Sequence, residues 1–148
     1  MMIPSISRYM TSQPWTIDRD ASLADARRLM REHGIRHLPV VDGGELVGVV
    51  SERDLHLLEV VSDLERASIS LSEAMSARPF VVTSDALLDE VVEIMADQRY
   101  GSAIVMGHDG VEGIFTTIDA CRALADVLQR AVAESIGVSD DALSSARP

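Results

Sequence analysis

The chain has 148 residues, 24 Asp and Glu against 13 basic residues, and a formal charge of −11. That length suits one compact domain or two small halves sharing a core, and ordinary apolar content excludes a wholly disordered chain. The acidity argues against general affinity for nucleic acid or anionic membranes, which call for a basic face. All 13 basic residues are arginines, so a lysine nucleophile or phosphate-loop lysine is excluded. A lone Cys121 excludes an intrachain disulfide framework and any multi-cysteine zinc site. Apolar runs fall far short of the roughly 20 residues needed to span a bilayer. Met1 to Met10 lack a secretory apolar stretch, and a cytoplasmic protein is expected.

Taken in chain order, Trp15-Thr16-Ile17 follows a proline and reads as a short strand. Asp20-Ala21-Ser22 supplies a helix N-cap, and Leu23, Ala26, Leu29 and Met30 mark a one-sided helix. His37 to Val41 reads as a buried strand, Asp42-Gly43-Gly44 as a hairpin turn, and Leu46 to Val50 as the returning strand. A last helix starts at Ser51, whose hydroxyl can cap it.

The pattern then recurs. At an offset of 65 residues, 6–60 lies on 71–125 without a gap, with identities including Met10/Met75, Pro14/Pro79, Met30/Met95, Gly48/Gly113 and Asp54/Asp119. In the second copy Phe80-Val81-Val82 is the first strand, Ser84-Asp85 the N-cap, and Leu88, Val91, Val92, Ile94 and Met95 the helix face. Ala103 to Met106 and Val111 to Phe115 form the hairpin, and Thr116 opens the last helix. Each unit is strand–helix–strand–strand–helix, too small to be comfortable alone. The expected architecture is α+β, two such repeats packed sheet to sheet with pseudo-twofold symmetry. Its parts are repeat 1 at 6–61, a linker at 62–70, repeat 2 at 71–134 and a flexible tail at 135–148.

Two equivalent motifs carry the candidate chemistry: Ser51-Glu52-Arg53-Asp54 and Thr116-Thr117-Ile118-Asp119. A helix N-terminus presents free N–H groups to an anion, a hydroxyl donates to phosphate or ribose, and an aspartate accepts from a ribose diol. The competing reading is a plain N-cap with a first-turn acid.

These motifs, the paired Met10 and Met75, and the segment Gly34-Ile35-Arg36-His37-Leu38-Pro39-Val40-Val41-Asp42 resemble the CBS domain. The whole chain resembles a tandem pair, or Bateman module, over 6–60 and 71–125. The resemblance implies a regulatory module, not an enzyme, with two clefts for adenosine ligands: AMP, ADP, ATP or S-adenosylmethionine. It implies no required cofactor, no catalytic or metal residue, a homodimer, and a regulated partner protein. Asp54 and Asp119 resemble ribose-binding acids, and Ser51 and Thr116 the hydroxyls beside ribose or phosphate. Thr16-Ile17 and Val81-Val82 would border adenine, and Arg36-His37 would face phosphate. The second copy has Gly101-Ser102 at that pair's positions and Ile118 where the first has Arg53. Cross-motif use would give Arg36-His37 to the Asp119 cleft and make it the better phosphate site, with Arg53 partly compensating beside Asp54. The alternative function is a ligand-free dimerisation or scaffold module.

Overall fold

A computed structural model describes residues 2–61 and 69–137. Residues 62–68 of the expected linker 62–70 and the residues beyond Gly137 lie outside the described residues. A 3-10 turn at Ile6–Arg8 and β1 (Thr11–Ser12) precede the first unit: β2 (Ile17–Asp18), α1 (Leu23–His33), β3 (His37–Asp42), β4 (Glu45–Ser51) and α2 (Glu52–Val61). A short α3 (Leu71–Ala74) precedes the second: β5 (Val81–Val82), α4 (Leu88–Gln98), β6 (Ser102–Gly107), β7 (Gly110–Thr116) and α5 (Thr117–Ile136). The two long-strand hairpins and the first helices superpose on the 65-residue offset without a break. Even the β-bulge repeats, at Val40/Val41 and at Val105/Met106.

Within each unit the short strand runs parallel to the second strand, which returns antiparallel through the glycine turn. The resulting sheets are β2-β3-β4 and β1-β7-β6-β5. Membership of β1 in the second sheet shows that the copies exchange their leading segments. Thr11 and Ser12 pair with Ile114 and Gly113 of β7, and Ser76, the repeat equivalent of Thr11, bridges Val49 of β4. The cores follow the same exchange. Ile6 is buried with Leu88, Val91, Val105 and Phe115, while Leu71 is buried with Ile17, Leu38, Val40 and Val50. Gly48 and Gly113 permit the crossing. A Cβ on Gly113 would stand 2.5 Å from Met10 Sδ, and one on Gly48 2.6 Å from both Met75 Sδ and the Ser76 carbonyl oxygen.

Three local expectations need correction. Ser22 caps α1 through a reciprocal capping box with Asp25, but Ser84-Asp85 does not cap α4, whose N-cap is Leu87. Asp85 instead accepts the Thr83 hydroxyl at 2.5 Å, and the Leu88 amide donates to the Pro4 carbonyl at 2.9 Å. The exchanged N-terminal segment thus satisfies a helix-end donor that would otherwise need a side chain. Trp15, Thr16 and Phe80 lie outside the short strands, because the parallel pairing begins only at Ile17↔Val40 and Val81↔Ile104. Finally, Ser135 and Ile136, assigned to the tail, complete the last turn of α5, which ends at a left-handed Gly137.

Tyr9 ties the start of the chain to that helix. Its hydroxyl donates to Asp126 Oδ2 at 2.7 Å, and Arg130 Nε reaches the same oxygen at 3.0 Å. Burial, followed by the hydrogen bond and charge of Asp126, pushes the Tyr9 phenol up.

Candidate functional site

Both hydroxyl–aspartate motifs fold as capping boxes. The Asp54 amide donates to Ser51 Oγ at 3.1 Å, and Asp54 Oδ2 accepts the Ser51 amide at 2.9 Å. In the second copy the Asp119 amide donates to Thr116 Oγ1 at 3.4 Å, and Asp119 Oδ2 accepts the Thr116 amide at 2.9 Å and the Thr116 hydroxyl at 3.1 Å. The first amide of each helix is also fixed, Glu52 to the Arg36 carbonyl and Thr117 to the Gly101 carbonyl. The N-cap reading is therefore structurally real, and each aspartate keeps one oxygen, Oδ1, outside the box. That oxygen differs between the copies. Asp119 is buried and its Oδ1 lies 3.6 Å from Arg122, whereas Leu57 stands at the Arg122 position beside Asp54.

Ser51, Arg53 and Asp54 open onto a cavity of about 1100 Å³, whose other wall brings Arg78, Phe80, Arg99 and the Gly101-Ser102 segment from the second copy. Phe80 stacks on Tyr100 there, with ring centroids 5.2 Å apart. Trp15, the repeat partner of Phe80, is on the surface, stacked on His33 at 3.9 Å.

Arg36 and His37 line this same cavity. His37 lies between the motifs: burial pushes its pKa down, the Asp54 and Asp119 carboxylates pull it up, and Arg36 adds a downward push. Gly101 makes room for the ring, since a Cβ there would stand 3.0 Å from His37 Nε2. Residue equivalence along the chain assigns Gly101 only a missing charge; across the pseudo-twofold it is the space that His37 uses.

Of the remaining expected site residues, Ile17 puts its side chain in the first core and Val82 packs against the second. Thr16 and Val81 are exposed. Thr116 and Asp119 form the equivalent motif on the other side of the pair and do not line the described cavity. Sequence reasoning missed Arg78, Arg99 and Tyr100. Arg99 had one available signal: it takes the helix-ending position that Gly34 fills in the first copy.

The family model described as CBS domain matches residues 6–58 and 71–126. Among solved structures, a Vibrio cholerae protein described as an acetoin utilization protein (AcuB) is similar at 32% identity and TM-score 0.75, over 86% of this chain and 95% of that one. CBSX2, solved in complex with AMP, is similar at 26% identity and TM-score 0.71, over 83% and 97%. The CBS domain pair of protein MJ0100, solved with 5′-methylthioadenosine and S-adenosyl-L-methionine, shares the fold at 24% identity and TM-score 0.76, over 84% and 98%. The first curated relatives are longer, the chain spanning 21%, 31% and 44% of three of them.

Proposed function

This chain belongs to the CBS-domain family as a tandem pair within one polypeptide, and from that premise we propose that it is a regulatory module sensing an adenosine nucleotide. One observation carries the reading. Asp54 is held by its capping box with one carboxylate oxygen left over, at a cavity whose facing wall is the Phe80–Tyr100 stack and arginines of the other copy. The free oxygen suits a ribose diol, the aromatic wall an adenine, and the guanidiniums a phosphate. AMP in a relative of similar length supports the same ligand class.

A ligand in this cavity touches both copies, so it biases their relative placement by whatever affinity difference it has between arrangements. The described residues show no helix long and apolar enough to cross a membrane, and we place the module in the cytoplasm, acting on a partner protein. Self-association into a homodimer is the accompanying proposal. Ile118, Leu124, Leu128, Val132 and Ile136 recur along α5 at helical spacing, and with Leu57 and Val60 of α2 each is more than half exposed. A stripe of that length left to water is a common mark of a protein interface.

The test is titration of the full chain with adenosine, AMP and ATP, repeated with Asp54→Ala. Ligand at a hundredfold its Kd should add about 2.7 kcal/mol to stability. Loss of a charged hydrogen bond should weaken binding about tenfold or more in the variant. A flat response from folded protein would favour the scaffold reading, which the Asp119–Arg122 pairing already supports for the second motif.

A further inference from the structure

The cavity carries far more positive charge than the chain around it. In a molecule of net charge −11, six arginines line it, Arg27, Arg31, Arg36, Arg53, Arg78 and Arg99, against only three acids, Glu52, Asp54 and Glu59. Two of those arginines are neutralised locally. Arg27 pairs with Glu59, and Arg36 Nε lies 3.5 Å from Glu52. Arg31, Arg53, Arg78 and Arg99 have no ion-pair partner among the described residues. All four are solvent-exposed, and like charges gathered along a concave wall repel one another and focus a positive potential, which an anion relieves.

A second, independent observation comes from the backbone. Arg99 ends α4 at φ 60, in the left-handed region, where the first copy has Gly34 at φ 62. That conformation disfavours every residue with a Cβ. Strain of this kind persists where a side chain is needed in place, and here it puts a guanidinium on the cavity wall. Arg78 and Arg99 come from the second copy and Arg31 and Arg53 from the first, so the unpaired charge is contributed from both sides.

One 5′-phosphate can engage one or two guanidiniums through bidentate bonds. Four unpaired arginines exceed that demand, and the volume of about 1100 Å³ leaves space for a longer anion. Resting on the adenosine-binding reading above, we propose that this cavity selects by phosphate number. It is a nucleoside triphosphate site in which Arg31, Arg53, Arg78 and Arg99 hold the polyphosphate chain, while monophosphates and cationic sulfonium nucleosides bind it poorly.

Calorimetric titration of the full chain with adenosine, AMP, ADP, ATP, S-adenosylmethionine and inorganic tripolyphosphate tests this, at about 50 and about 300 mM salt to read the ionic contribution. Affinity should rise from AMP through ADP to ATP, by about tenfold or more overall, as charge-assisted contacts accumulate. Tripolyphosphate should compete with ATP. Combining Arg78→Ala with Arg99→Gly should bring ATP to within about threefold of AMP while adenosine binding stays. Arg99→Gly restores the residue type found at Gly34, so that variant should fold, and a denaturation midpoint beside each titration verifies it. Equal affinity for AMP and ATP would overturn phosphate counting and leave the adenosine reading standing. Tripolyphosphate binding with no response to any adenosine compound would do the reverse. An ATP preference that survives in the double variant would overturn the arginine assignment.

Discussion

His37 Nε2 lies 3.0 Å from the point where a Cβ on Gly101 would be. Here one copy's strand start, β3, meets the segment that leads into the other copy's β6, at the centre of the pair. The contact breaks the internal symmetry, because the repeat equivalents of Arg36 and His37 are Gly101 and Ser102 themselves. A bulky ring on one side is accommodated by the missing side chain on the other.

Gly101→Ala should therefore cost about 1 kcal/mol in urea denaturation, the ring having to give by a few tenths of an ångström. In a His37→Ala background the same substitution should be close to neutral. A double-mutant cycle with no coupling between the two positions would refute the contact.

Protonation of His37 should weaken the fold. Its folded pKa lies below the usual value because of burial, despite the opposing pull of Asp54 and Asp119. The unfolded chain, with a His pKa of about 6.5, then binds the proton first as pH falls. Stability is full above the unfolded value and declines as pH drops toward the folded pKa. Denaturation midpoints from pH 7.5 down to 5.5, each value about where a free His is mostly neutral or mostly charged, should fall less steeply in His37→Asn. Parallel slopes would contradict this.

The two crossing glycines should differ in cost. A Cβ on Gly113 overlaps the flexible Met10 side chain and stands 3.1 Å from the Thr11 backbone oxygen, whereas one on Gly48 stands 2.6 Å from both Met75 Sδ and the Ser76 backbone oxygen. Gly113→Ala should lose about 1 kcal/mol and Gly48→Ala about 2–3 kcal/mol, since backbone yields less readily than a methionine. Chemical denaturation ranks them directly.

Tyr9→Phe should loosen the N-terminal segment from α5 while Arg130 still neutralises Asp126. The lost hydrogen bond to a carboxylate is worth about 1.5–3 kcal/mol. Hydrogen exchange of the amides at Ile6 to Met10 should accelerate more than that of β3, and a uniform change would argue against a local latch.

Much of the fold is legible in the chain because it is locally encoded. Helical spacing at Leu23, Ala26 and Met30, the glycine turn at Gly43-Gly44, and the Ser51 and Thr116 caps each act within a few residues, and duplication at 65 residues states them twice. Local rules also fail locally: Ser84-Asp85 has the composition of a cap, yet the Pro4 carbonyl, far away in sequence, takes the amide at the start of α4.

The repeat, the order of its elements and the two aspartate motifs are written in the residues themselves, since periodicity and capping depend on neighbours along the chain. Which copy each leading segment completes, why Gly48 and Gly113 lack a Cβ, and which arginines share a cavity emerge only when the two copies pack. Those outcomes depend on distances across the pseudo-twofold, where Arg78 and Arg99 line one cavity with Asp54 and His37 without any spacing in the chain that records it.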